Sequence, residues 1–313
     1  VLHLRAICPP GITERAVALL REHAGATHLV LFRGAAVEPA GDVIEADVAR
    51  EAADEILAAL CGLGVDRDGG LTLEQVDTSL SDAADRAEEA APGEAADAVV
   101  WEELVGRTGE ESRLNTTFLA FLTIACLLAA VGVITDSPVT IVGAMVVGPE
   151  FGPLAAVAVG LVRRRFDLVR RALLALGAGF PLAILVTAGG TWLGNYTGLF
   201  DASVISGDHD VDFVYEVGPW SLVVALLAGA AGMLSMTSAK SAALVGVFIS
   251  VTTVPAAGYI GVAAILGEWD KVARSAGQLA VNLAGIVLAA ALVLLLRRNR
   301  SAPDIRERPL SRG

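Results

Sequence analysis

Glu150 is the residue whose type and place most invite chemistry. It is an acid inside the apolar stretch GAMVVGPEFGPLAAVAVGL (Gly143–Leu161), within Gly148-Pro149-Glu150-Phe151-Gly152-Pro153. A proline removes a backbone N–H and clashes with the preceding helical turn. In hydrocarbon each unpaired backbone group costs several kcal/mol, so a break is tolerated only inside protein or beside water. An ionisable side chain at such a place is a functional candidate by default. Glu150 is therefore expected to couple transport, by taking up a proton or holding a cation. Exposed N–H groups of the half-helix starts would favour a polar or anionic ligand. The competing reading is a proline kink that only shapes a helix bundle, since Gly and Pro are common in membrane helices.

A second interruption weighs against the kink. Laying each residue over the one 103 positions later puts Val142-Gly143 on Val245-Gly246. The same offset puts Phe166-Asp167-x-Val169-x-Arg171 on Trp269-Asp270-x-Val272-x-Arg274, with no gap. Pro149–Pro153 then falls on Thr252-Thr253-Val254-Pro255-Ala256, so the break has a counterpart at VTTVPAAG. The expected substrate site is Gly148, Pro149, Glu150, Phe151, Gly152 and Pro153 together with Thr252, Thr253, Val254 and Pro255. Backbone groups would bind the solute, and the two threonines would supply hydroxyls. Asn282, one turn from Gln278, either lines the path or bonds across helices as glue. Lys240 reads as a lysine that snorkels to the cytoplasmic surface. No catalytic residue, cofactor or metal is expected. The cluster Asp208, His209, Asp210 and Asp212 reads as a solvated acidic loop rather than a metal site.

The elements that carry these residues are long apolar runs. The 313-residue chain is 54% hydrophobic with a net charge of −12, and its mean hydropathy is +0.62. Residues 1–113 are soluble and acidic in character, and 114–296 hold runs long enough to cross a bilayer. Six spans are expected: Leu114–Ile134, Val139–Val162, Ala172–Leu193, Pro219–Met236, Ala242–Leu266 and Gln278–Leu296. Arginines cluster in the loop Arg163–Arg171 and in the tail 297–313, while Asn195–Gly218 is acidic. The positive-inside rule puts the arginines and both termini in the cytoplasm of an inner (plasma) membrane protein. Three spans per repeat, 114–194 and 219–296, make the second copy inverted. Inverted repeats with matching broken helices are a transporter signature, with the site near mid-membrane. The negative charge argues against nucleic acid as a partner. No cleavable signal pattern is visible, and the scattered Cys8, Cys61 and Cys126 suggest packing rather than disulfides or metal.

Ahead of the spans, residues 1–80 alternate as strands and helices in the order βαββαβ, a ferredoxin-like, split-βαβ pattern. Strands are expected at Leu2–Cys8, Thr27–Arg33, Asp42–Ala49 and Leu71–Val76. Thr13 is expected to cap the first helix, and the second helix to run from Glu51 to Leu60. His3, His23 and His28 have no ligand spacing and read as surface or satisfied histidines. Residues 81–113 are a linker with an amphipathic helix at Ala98–Arg107. Its Trp101 marks either a membrane-interface elbow or a packed Trp on a solvated helix.

GAMVVGPEFGPLAAVAVGL resembles the GAM-x-x-SP-x-x-GP core of the domain-of-unknown-function 389 (DUF389) family of prokaryotic hydrophobic membrane proteins. VGVFISVTTVPAAGYIGVA resembles that family's second motif, and LTLEQVDTSLSD (Leu71–Asp82) the close of its soluble domain. The resemblance implies the architecture and not an activity. Gly148 stands where the family has Ser, Glu150 where it has an apolar residue, and Ala256 where it has a second proline. A coupling role for Glu150 thus rests on this chain's own residues. The expectation is a non-enzymatic secondary transporter of a small polar or anionic solute, proton- or cation-coupled and homo-oligomeric, regulated or assembled by its soluble domain. Alternatives are a channel and a receptor or scaffold without transport; no HExxH, GxSxG or paired-acid motif supports an intramembrane enzyme.

Overall fold

A computed structural model describes residues 1–76, 79–91, 98–201, 204, 211, 218–238 and 253–298. The chain forms two compact units, one built on Val1–Leu104 and one running from Val105 to Met236 and on through Leu296.

The first unit follows the expected order. It comprises β1 (Leu2–Cys8), α1 (Pro10–Glu22), β2 (Ala26–Val37), β3 (Ala40–Val48), α2 (Ala53–Gly62), the single turn α3 (Val65–Asp68) and β4 (Gly70–Gln75). The sheet order is β2-β3-β1-β4, antiparallel throughout. Alternation along β1 and β3 sends Leu2, Leu4, Ala6, Ile44 and Val48 to one face, where Val17 and Leu20 of α1 and Ile56 and Leu60 of α2 cover them. Each large aliphatic side chain buried there contributes about 1.5–3 kcal/mol.

Two local expectations change. Thr13 is not the cap of α1. The helix starts at Pro10, with Pro9 at the cap position, and the buried Thr13 hydroxyl donates to the Pro9 carbonyl at 3.2 Å. A proline at the first helical position has a preset φ and lacks only an N–H that would have had no helical partner. Strand β2 runs past Arg33 to Val37, because pairing with β3 resumes after an irregularity between Phe32 and Ala36. Gly34, at φ 63°, makes that bend, and its N–H donates to the Asp42 carboxylate at 2.7 Å.

The histidines are satisfied ones. His3 Nδ1 lies 3.0 Å from one Asp47 oxygen, and His28 Nδ1 lies 2.7 Å from the other. Ser81 Oγ is 2.9 Å from His28 Nε2, which ties the start of the next helix to the sheet. Burial opposes ionisation of Asp47, but its bonds to His28 and His3 outweigh that and hold the carboxyl below its usual range. A carboxyl with a lowered folded pKa stabilises the fold above its unfolded pKa of about 3.9, and that contribution fades as pH falls through the folded value. Asp47→Asn is therefore expected to lower the Tm of the first unit at neutral pH. The gap from wild type should close as pH falls below about 3.9. Thermal melts of both proteins across that range check it.

The linker is more ordered than its composition suggests. Ser81 accepts from the Ala83 and Ala84 N–H groups and starts α4 (Asp82–Ala90). Helix α5 (Trp101–Glu111) begins later and ends later than expected. Trp101 is 3% exposed, and its backbone N–H donates to Asp54 Oδ1 at 3.1 Å. The packed-Trp reading is the one realised. Arg50, also buried, reaches Glu103 at 3.2 Å.

The second unit holds α6 (Thr116–Ile134), α7 (Pro138–Val147), α8 (Phe151–Val162), α9 (Phe166–Tyr196), α10 (Pro219–Thr237), α11 (Val254–Leu266) and α12 (Trp269–Arg298). Among the described residues four helices, α6, α9, α10 and α12, are long and apolar enough to cross a membrane. Helices α7 and α8 form a pair bent by 54°, a fifth span if counted as one. The protein is a multi-pass membrane protein. The first half of the expected fifth span, including Thr252, lies outside the described residues, as does Lys240 just ahead of it. So do Asp208, His209, Asp210 and Asp212, and most of the basic tail. Helix α9 takes in Arg170 and Arg171, so the expected arginine loop is shorter and ends before Phe166.

Helix starts recur with the offset seen in the sequence. Thr116, Phe151 and Phe166 open α6, α8 and α9; Pro219, Val254 and Trp269, each 103 residues later, open α10, α11 and α12. Burial separates two classes. The four long helices expose apolar side chains such as Phe121, Leu174, Leu227 and Leu288. In contrast, α8 is buried without a gap from Gly152 to Gly160, and α11 from Val254 to Ala263. The two short helices are the interior of this unit.

Candidate functional site

The prolines explain where the interior helices begin. Pro153 is the third residue of α8 and Pro255 the second of α11. At those positions a helix has no internal partner for the N–H, so a proline costs it nothing. Pro149 stands just after Gly148, whose extended conformation (φ −64°, ψ 127°) ends α7. The chain therefore stops one helix and starts another, which is a break and not a kink.

Glu150 and Thr253 are the cap residues of α8 and α11, and neither side chain caps its own helix. They bond to each other instead. The Thr253 hydroxyl donates to Glu150 Oε1 at 2.5 Å, and both side chains are 0% exposed. The two residues are 103 apart, the offset of the repeat. Two helix starts thus converge on one carboxylate. Each start carries a partial positive charge of up to roughly half an electron. An ionised Glu150 would be an anion of the kind that such a place favours.

Of the other expected site residues, Gly152, Pro153, Val254 and Pro255 are buried in the first turns of these helices. Phe151 is half-buried, and it packs in the cluster that holds Leu122, Leu154, Phe180 and Val254. Asn282 is 0% exposed in α12 and shares a face with Gln278 and Ser275, also buried. Ser275 Oγ, Gln278 Oε1 and Thr187 Oγ1 of α9 are buried with no hydrogen-bond partner among the described residues. Thr187 was not an expected site residue; a lone threonine in an apolar run gives no signal in sequence.

A second neighbour of the break was also missed. Glu111, at the end of α5, packs on Gly152. A Cβ added to Gly152 would lie 2.6 Å from Glu111 Cβ and 2.9 Å from Glu111 Oε2. The Glu111 carboxylate also accepts from Arg107 Nε at 3.2 Å. Gly152→Ala is expected to lift the last turn of α5 off α8. Hydrogen exchange should then rise at Thr108–Ser112 while the amides of α9 stay as protected as in wild type.

Residues 145–288, which contain both cap residues and both interior helices, match the family model described as Domain of unknown function (DUF389). The chain carries a DUF389 domain. The match takes in α8 to α11 and most of α12, so the DUF389 core includes the Glu150–Thr253 pair. Among curated proteins the chain is similar to an uncharacterized protein of Methanocaldococcus jannaschii, 24% identical over 199 residues. That alignment covers 62% of this chain and 59% of the relative, so the chain spans less than two thirds of the relative's length. No solved structure matches the chain.

Proposed function

We propose that this DUF389 protein is a secondary transporter that moves a small anionic solute together with a proton. The observation that carries the reading is the buried Glu150–Thr253 bond at the meeting of two helix starts. Such a place holds one negative charge well and two badly, because like charges in contact in a low-dielectric site repel strongly. An entering anion must displace the charge of Glu150, and protonation of Glu150 does so. Anion and proton then bind together and leave together. The unpartnered buried oxygens of Thr187, Ser275 and Gln278 offer polar lining on α9 and α12.

The recurrence of helix starts supports two three-span repeats, six spans in all, with interrupted second spans. We read them as inverted, with the arginine-rich ends and both termini cytoplasmic, because an odd number of spans per copy reverses the second. The first unit is read as a ferredoxin-like regulatory or assembly module of a homo-oligomer, on its βαββαβ order and strand order. One observation favours a second reading, a receptor without transport: the linker helix α5 rests on the break at Gly152.

Flux separates the two. Proteoliposomes with an entrapped pH dye are given inward gradients of small carboxylates, phosphate, sulfate or halides. A transporter acidifies the lumen with the anion it accepts. No anion uptake and no acidification across that panel, with the protein folded, would leave the receptor reading in its place.

A further inference from the structure

The turn between α8 and α9 concentrates positive charge. Arg163, Arg164, Arg165, Arg170 and Arg171 stand within nine residues of one another, against the single acid Asp167. Asp167 meets Arg165 at 3.8 Å, a loose pair on the surface. The turn itself is closely packed. Arg165 N–H donates to the Gly160 carbonyl at 2.7 Å, and a Cβ on Gly160 would lie 2.6 Å from Val169 Cγ2. Arg170 and Arg171 are exposed, and the next residues of α9 expose apolar surface: Leu173 is 53% and Leu174 56% exposed. Phe166, in the middle of the arginines, is 67% exposed.

One residue indicates that this charge is kept against a cost. Arg164 has φ 54°, in the left-handed region that side chains other than glycine avoid. The residue 103 positions later, in the matching turn before α12, is Gly267 at φ 79°. The same backbone bend is thus made without strain in one copy and with strain in the other. That second turn also lacks the charge: Glu268 and Asp270 offset Lys271 and Arg274. Strain at a non-glycine residue points to a use for its side chain.

We propose that the Arg163–Arg171 turn is a docking surface for anionic phospholipid headgroups, with Phe166 seated at the bilayer interface beside them. Basic residues next to a membrane-spanning helix attract acidic lipids. Guanidinium groups grip phosphate in bidentate fashion. The exposed leucines of α9 continue the surface into the acyl chains. This surface is separate from the Glu150 site and does not depend on transport.

The test uses the full chain in bilayers of equal phosphatidylglycerol and phosphatidylcholine, with retained lipid counted by native mass spectrometry. Wild type is expected to retain phosphatidylglycerol in preference. Arg164→Gly should weaken that retention about fivefold, the effect of one basic residue near an anionic surface, and its Tm should stay level or rise. Arg170→Gln with Arg171→Gln should weaken it further, whereas Lys271→Gln with Arg274→Gln in the matching turn should not. Equal retention of the two lipids by wild type would overturn the proposal. So would displacement of phosphatidylglycerol by free inorganic phosphate, or a fall in Tm for Arg164→Gly, which would make Arg164 a structural residue of the turn.

Discussion

Glu150→Gln is expected to separate anion binding from proton movement. The amide keeps the shape of the carboxyl and can still accept from Thr253, but it carries no charge to give up. In wild type, acidification should tighten anion binding about 5–150-fold, the usual range of coupling between two linked sites. The variant should bind the anion with an affinity that no longer changes with pH, and proteoliposomes carrying it should take up anion without acidifying. The direction follows from the charge state: protonation of Glu150 removes the negative charge that opposes the anion. If Glu150→Gln keeps the wild-type pH dependence, the proton is carried elsewhere and the site assignment fails. Thr253→Val tests the same pair from the other side. It removes the donor to a buried carboxylate and should destabilise the membrane unit by about 1.5–3 kcal/mol. Thr253→Ser should restore most of that stability.

The second large effect is expected at Gly229 of α10. A Cβ there would lie 2.4 Å from the Ile286 carbonyl oxygen and 2.7 Å from its Cα. Both obstacles are backbone of α12, so no side-chain rotation relieves them. On the α12 side, a Cβ on Gly285 would lie 3.0 Å from the Ala225 Cβ. Helices in lipid associate through such small-residue contacts, since lipid chains leave little hydrophobic drive between them. Gly229→Val should therefore part α10 from α12 and cost about 3 kcal/mol or more, the upper end for overpacked sites. A loss of folded protein in detergent, measured by thermal unfolding, checks this. Gly143→Val, where nothing lies within 4 Å of the added Cβ, is the control and should melt like wild type.

Much of this architecture could be read from the residues, for reasons that also set the limits. The period-two alternation of LHLRAIC and DVIEADVA is a direct imprint of a half-buried strand, and both strands lie where it puts them. The 103-residue recurrence of helix starts was legible because Phe166-Asp167 and Trp269-Asp270 each open a long helix. Proline positions revealed the break because few other residues stop a helix in an apolar run. The pairing of Glu150 with Thr253 was not legible: the offset makes two residues equivalent, but only the meeting of the α8 and α11 starts makes them touch. The start of α1 was misread because Pro9-Pro10 looks like a terminator and serves here as a cap and first turn. Nothing in the linker's composition announced that Glu111 would rest on Gly152, since that contact joins segments 41 residues apart through tertiary packing alone.

Equivalent positions that bond to each other have a consequence for how the two halves could have diverged. Were the halves identical, that position would hold either two acids, facing each other across an apolar centre, or two hydroxyls, with no net charge between them. Two acids could satisfy each other only by sharing a proton, whereas the unlike pair sets a hydroxyl donor against the carboxyl without one. A carboxyl with a hydroxyl donor against it needs the two positions to differ, one carrying the acid and the other the alcohol. A chain with the two exchanged, threonine at 150 and glutamate at 253, would place the same pair in mirrored roles, and it would ask which half of the protein the rest of the chain treats as the acidic one.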